Sequence, residues 1–263
     1  MRLYIEIARR SFRRAIAYRA AALAGMLTNA FFGAVRCFVY IALFNAGSSR
    51  VAGFTVQDAI SYTWITQSLI SIGAGWLTVD LSRSIYSGDV INDLMRPWSF
   101  YGYWLSRKLG EQLFNLGIRG TLTYLIGVIT FGAFVPGLDG LAPFTLSVGM
   151  AMLLSITFGF LVNLTAFWLI DNTGVIIISN ILLGFFSGFM IPLAFFPPWL
   201  ATIAYMLPFQ TISGLPAQIF LGQITGWNLV GVLLLQLFWV VVLVFCALAI
   251  LQLAMRKVII QGG

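Results

Sequence analysis

The chain has no histidine, only two cysteines and two lysines, and 9% charged residues among its 263. Without histidine the commonest general base and metal ligand is missing. That weighs against an intramembrane metalloprotease or a histidine-dependent acyltransferase. Cys37 and Cys246 both fall inside apolar segments, so they read as buried small hydrophobes and support neither a disulfide nor a metal site. The two lysines, Lys108 and Lys257, each follow an arginine, and the Gly-x-x-x-x-Gly-Lys-Ser/Thr loop that cradles nucleotide phosphates does not occur. No cofactor site is expected here, and any ATP energy must come from another subunit. Charge is too sparse for a soluble domain, which carries roughly 25% charged residues.

What is present is apolar. Hydrophobic residues make up 60% of the chain and mean hydropathy is +0.96. A spanning helix needs ~20 apolar residues, and six uncharged or nearly uncharged runs qualify, approximately 20–45, 56–80, 111–135, 141–168, 175–195 and 226–255. The expected fold class is therefore an all-α integral membrane protein forming a single transmembrane domain. No small-residue cleavage site ends the first run, which reads as an uncleaved span rather than a signal peptide. The net charge of +7 invites a nucleic-acid reading, but the basic residues sit beside apolar spans. That placement fits topology determination and contact with anionic lipid, with no nucleic-acid partner.

Residues 1–19 hold six arginines, Arg2, Arg9, Arg10, Arg13, Arg14 and Arg19. Ile5, Ala8, Phe12 and Ala15/Ile16 recur at helical spacing on another face, the pattern of an interfacial amphipathic helix; a basic flank that merely orients the first span is equally compatible. Arg83, Arg96, Arg107 and Lys108 lie between the second and third runs, and Arg256 and Lys257 close the chain. The intervening loops on the opposite side hold only Arg50. The positive-inside rule then places both termini in the cytoplasm, and six spans satisfy the parity.

Two non-spanning pieces stand out. In "SGDVINDLMRP", residues 87–97, Gly88 and Asp89 open a short helix, Val90, Ile91, Leu94 and Met95 follow at helical spacing, and Pro97 ends it. Asp89, Asp93 and Arg96 are its polar residues. It is either an ordinary solvated loop helix or a docking knob for a cytoplasmic partner. The second piece, "IPLAFFPPWLATIAYMLPFQTISGLPAQIF" at 191–220, has no charge yet holds Pro192, Pro197, Pro198, Pro208 and Pro216. Proline costs ~3 kcal/mol in a helix interior, so this stretch is expected to fold as two short helices broken near Pro208 and tucked against the fifth and sixth runs.

The arginine-rich start, the six runs, "SGDVINDLMRP" and "PLAFFPPWLATIAYMLPFQTISGLPAQIFLG" (192–222), taken in this order, resemble the permease subunits of ABC-2-type transporters, which have the type V exporter fold. More narrowly, "RPWSFYGYWLSRKLGE" with the proline stretch resembles a subgroup in which two related permeases pair with one type of ATPase. The resemblance covers essentially the whole chain. It implies an ATP-driven exporter of a lipid-like or amphipathic cargo in the bacterial plasma (inner) membrane. It further implies two copies of an ABC ATPase that bind ATP and Mg, and a second permease, a paralogous heterodimer in preference to a homodimer. The 86–97 helix would be the coupling helix, with Asp89, Asp93, Leu94, Arg96 and Pro97 at the ATPase. Residues 1–19 would be the elbow helix, and 192–222 outer re-entrant helices with Pro197, Pro198 and Pro208 at a gate. Family dimers meet along the first and fifth spans, where Gly184 and Gly188 have the small-xxx-small spacing of close helix pairs.

Charges at membrane depth are costly. Arg36 either lines the pathway and meets an anionic part of the cargo or an acid on a partner helix, or snorkels to headgroups. Arg119 is expected to snorkel or to pair with Glu111, and Asp171 to cap the turn at "DNTG". Asn163 and Asn180 are expected to pack or hydrogen-bond between helices. Trp199, Tyr205 and Trp227 suit an interfacial belt. Two other classes compete: an ion-driven secondary transporter, which lacks the expected inverted repeats and midplane acids, and a membrane enzyme, which lacks a nucleophile–base set.

Overall fold

The computed structural model describes residues 2–17, 19–47, 50–73 and 79–261. Every regular element among them is helical. Four helices are long and apolar enough to cross a membrane: Leu23–Ala46, Phe100–Phe131, Leu138–Phe167 and Gly226–Lys257.

α1 (Arg2–Ala17) is the amphipathic helix, and it lies along α7 (Phe100–Phe114). The two backbones nearly touch, since a Cβ at Gly110 would overlap the carbonyl oxygen of Ala8. Phe12 meets Phe114 edge to face at 5.7 Å, and the Tyr4 hydroxyl accepts from the Ser99 N–H at 3.0 Å. The arginines stay on the outer face, with Arg10 bonded to Glu6 at 3.3 Å.

α2 (Arg19–Ala46) is followed by α3 (Val56–Ser68), which starts with a reciprocal cap: Thr55 Oγ1 accepts from Asp58 N–H while Asp58 Oδ2 accepts from Thr55 N–H at 2.9 Å. α3 is buried throughout Ala59–Ser68. Helices shielded on all sides need no lipid-facing stripe, so it tolerates Ser61, Thr63, Thr66, Gln67 and Ser68. The hydroxyls of Thr63, Thr66 and Ser68 bond back to carbonyls one turn earlier. The helix breaks at Leu69 before the single turn α4 (Ile70–Gly73), so the described part of the expected second span is a broken, polar central element; its residues 74–78 lie outside the described residues.

α5 (Asp80–Tyr86) and α6 (Val90–Leu94) lead into α7. α7 continues through a π-helical segment, Asn115–Gly120, into α8 (Thr121–Phe131) as one long helix. The expected third span starting at 111 thus begins at Phe100, because the Ser99 hydroxyl caps it by accepting from Gly102 N–H at 3.1 Å. Arg107 and Lys108 belong to a helix, not a loop.

α9 (Leu138–Leu164) and α13 (Gly226–Gln261) pack together. Between them, α10 (Thr173–Phe186) has 14 residues, about 21 Å at 1.5 Å per residue, against ~30 Å of hydrocarbon. The expected fifth span to 195 therefore stops at Phe186. The proline stretch folds as α11 (Pro198–Met206) and α12 (Gly214–Phe220), separated by an extended Leu207 and a 3₁₀ turn over Pro208–Thr211. Pro198 and Pro208 each take the first helical position, where no N–H is needed. α12 packs on α9 and α3, its Gly214 N–H donates to Ser187 O at 2.8 Å just past α10, and the 3₁₀ turn meets α10 and α13; the segment sits against the last two expected runs and against α9 and α3 as well. Phe220 explains this, meeting Phe144 at 4.9 Å and Tyr124 at 5.1 Å.

Candidate functional site

The α5–α7 corner carries the residues expected to meet a partner. Gly88 turns the chain between α5 and α6 at φ +79°, with open space where a Cβ would stand. Val90 is buried and Leu94, one turn on, is half-buried; both pack on Leu81, Phe100, Tyr101, Trp104 and Phe160. That fixes the opposite face outward, displaying Ile91, Asn92 and Met95, the last 80% exposed. Asp89 is exposed and accepts from Ser87 Oγ at 2.7 Å. Asp93 faces Arg96 at 3.8 Å, and Arg96 stacks 5.0 Å over the Trp98 ring. Pro97 is exposed beside them. The regular helix is five residues long, shorter than the 86–97 expected, because Gly88 and the Met95–Pro97 turn bound it.

A buried polar relay joins this corner to α9. Asn163 Oδ1 accepts from Ser82 N–H at 3.0 Å and from Ser82 Oγ at 2.8 Å. Asn172 Nδ2 donates to Ser82 Oγ at 2.9 Å and to Thr165 Oγ1 at 3.2 Å. Asp171, one residue before the N-cap Asn172, closes the turn into α10, accepting from Thr173 N–H and Oγ1 at 2.8 and 2.6 Å; those bonds hold its carboxyl below the ordinary carboxylate range. Asn163 thus bonds between helices, one of its two expected roles; Ser82 is its unforeseen partner, and Asn172 joins through Ser82.

A polar stripe along the long helix was not foreseen. Lys108, Glu111, Gln112, Asn115 and Arg119 recur at helical spacing and line one cavity of about 400 Å³ with Gly25, Ser71 and Ser155. Lys108 Nζ bonds Asp80 at 2.8 Å and Glu111 at 2.9 Å. Arg119 does not pair with Glu111. It reaches α2, where Nη2 donates to Gly25 O at 3.0 Å and Asn29 Oδ1 at 3.2 Å. The signal lies in the i, i+4 spacing of these residues, which only a helix starting as early as Phe100 brings onto one face. π-helical turns often mark functional positions, and this one carries Arg119.

Arg36 holds together the opposite end. Its Nη1 donates to Phe189 O at 2.6 Å and Met190 O at 3.3 Å, with the guanidinium 4.8 Å from the Phe189 ring centroid. Those carbonyls belong to the turn after α10, and irregular backbone inside a membrane domain must be satisfied by protein. Arg36 therefore secures the broken chain, a contact that neither expected role includes. Gly188 sits in the same turn at φ +76°, where Tyr62 OH bonds its carbonyl at 2.8 Å and would lie 2.6 Å from an added Cβ. Gly184 is inside α10 and Gly188 is past its end, so the pair does not form a helical small-residue stripe; Gly188 packs within its own chain. Pro197 and Pro198 are exposed at the start of α11, and Pro208 is buried. Trp199, Tyr205, Met206 and Trp227 remain exposed, Trp227 most of all.

The described residues form an all-helical chain with four helices long and apolar enough to cross a membrane and no regular strand. A family profile for ABC-2 family transporter proteins matches residues 31–262. The chain belongs to that family, whose permeases work with an ABC ATPase and are generally not catalytic themselves. Comparison with curated proteins and with solved structures returned no match.

Proposed function

We propose that the chain is the permease subunit of an ATP-driven exporter moving a lipid-like or amphipathic cargo out of the cell, energised by two copies of a separate ATPase that bind ATP and Mg. It crosses the inner membrane six times with both termini cytoplasmic. The short fifth span is completed by the irregular backbone of residues 187–189, buried in the protein. It pairs with a paralogous permease, using the apolar outer faces of α2 (Phe31, Val35, Phe38) and α10 (Ile177, Ile181, Phe185), all exposed in the single chain. The α11–α12 segment covers the outer end of the pathway, with Pro197, Pro198 and Pro208 setting its breaks.

The observation that carries this reading is the α6 corner. Its inner face is locked into the bundle by Val90 and Leu94, and Ser82 ties the preceding helix to Asn163 and Asn172. A push on Ile91, Met95, Asp89 or Arg96 is therefore passed to α9 through packed side chains, as a rigid-body motion requires. The test is co-expression with a candidate ABC ATPase and a candidate second permease, then purification and vanadate-sensitive ATP hydrolysis. Reversing Asp93 or Arg96, or placing glutamate at Met95, should release the ATPase and leave membrane insertion unchanged. An intact complex with full transport in those variants would refute the coupling role.

A further inference from the structure

We propose that the cavity between α2, α4, α7 and α9 binds a phosphate ester, held by Arg119. The charges around it do not balance locally. Lys108 and Arg107 together are neutralised by Asp80 and Glu111. Arg119 has no carboxylate partner, although all eight acids of the chain are among the described residues. A lone charge at membrane depth is costly, and such residues mark binding sites unless paired.

The site is built rather than incidental. Gly25 leaves room for the guanidinium to lie flat on α2, since a Cβ there would stand 2.6 Å from Arg119 Nη2. Bonds to Gly25 O and Asn29 Oδ1 then fix one edge of the fork. The other side, Nε–H, is buried without a partner among the described residues, as are the Ser71 hydroxyl and Gln112 Oε1, and all three residues line the cavity. Gln112 Nε2 is already committed to Ser155 Oγ at 3.1 Å, which leaves its carbonyl as an acceptor.

Two donors and a positive charge suit a phosphate oxygen, where charge-assisted bonds from arginine are strongest. The Gln112 acceptor requires a donor on the same ligand, a hydroxyl or an ammonium. A phosphodiester headgroup bearing either meets both demands. At about 400 Å³ the cavity is at the small end of ligand sites, so it takes the headgroup and not a whole two-chain lipid. The same chemistry is available from a membrane lipid or from a soluble phosphate ester.

The test uses the purified full chain in a neutral detergent, without ATPase, so its outcome is independent of the transport reading. Thermal unfolding is followed while phosphatidylglycerol, phosphatidylethanolamine or diacylglycerol is titrated into the micelles, and separately while glycerol 3-phosphate is titrated into solution. Phosphatidylglycerol and phosphatidylethanolamine should raise the melting temperature saturably, and diacylglycerol should not. A response to glycerol 3-phosphate of equal strength assigns the site to a soluble ester instead of a lipid. Arg119→Gln should weaken the phospholipid midpoint about tenfold or more, the loss of a charge-assisted bond, and Arg119→Lys should recover part of it. Should Arg119→Gln fail to fold, Gly25→Ala displaces the guanidinium by its flexible end and should weaken the midpoint likewise. Equal shifts in wild type and both variants, or no shift with any phosphate compound, would mean a cavity filled by water alone and would overturn the proposal.

Discussion

Gln236 is fully buried in α13 and makes three bonds: Nε2 to Ser147 O and to Thr211 O, both at 2.8 Å, and Oε1 from Ser147 Oγ at 3.0 Å. It thereby pins α9, α13 and the turn after Pro208 at one point. Gln236→Leu keeps the volume and removes every bond. Interhelical side-chain bonds in membrane proteins average ~0.6 kcal/mol and reach ~1.7, so three give about 2 kcal/mol, with ~5 as the ceiling. Stranding the Thr211 and Ser147 carbonyls keeps the loss from falling much below that value. The assay is equilibrium unfolding in mixed micelles of rising sodium dodecyl sulfate, with the exposed Gln223→Leu as control. A loss of about 2 kcal/mol corresponds to a roughly 30-fold change in the folding equilibrium. If Gln236→Leu stays within ~0.5 kcal/mol of wild type, the pin does not hold the proline segment and the reasoning fails.

Arg36→Met should destabilise by about 2 kcal/mol, because the Phe189 carbonyl loses a charge-assisted donor, and Arg36→Lys should restore part; lost transport at full stability would instead make Arg36 a cargo contact. Gly110→Leu should lift α1 off α7, read as new protease cleavage within residues 2–17, and unchanged cleavage would contradict the close approach at Ala8. Asn163→Leu should keep ATPase binding and lower transport-coupled hydrolysis, since Ser82 loses its anchor; wild-type coupling would dismiss the relay. For topology, a cysteine at the exposed Thr202 should react with an impermeant external thiol reagent, whereas one at the fully buried Thr211 should not; reaction at 202 from the cytoplasmic side only would invert the orientation.

Much of the fold is legible in the chain because long apolar runs and proline positions act locally. Pro198 and Pro208 start their helices where the missing N–H is harmless, and Val90 and Leu94 show their i, i+4 anchor directly. The second span resists such reading. Its Ser61, Thr63, Thr66 and Gln67 are permitted by neighbours that wrap α3, a tertiary fact with no local trace. The end of α10 at Phe186 depends on Arg36, 150 residues earlier in the chain, and on Tyr62, both of which satisfy the turn that follows. The Lys108–Arg119 stripe was concealed for another reason. Hydropathy averages around the whole helix, while these polar side chains occupy one face, and their counter-groups, Asp80, Gly25 and Asn29, come from two other helices.

The central claim, that the α6 corner receives the partner ATPase, is tested most directly by photo-crosslinking. A photoreactive residue replaces Met95 in the assembled complex, and a second variant carries it at Leu138, equally exposed at 85% but at the start of α9. Met95 should crosslink to the nucleotide-binding subunit and Leu138 should not. A crosslink to that subunit from Leu138, with none from Met95, would contradict the account.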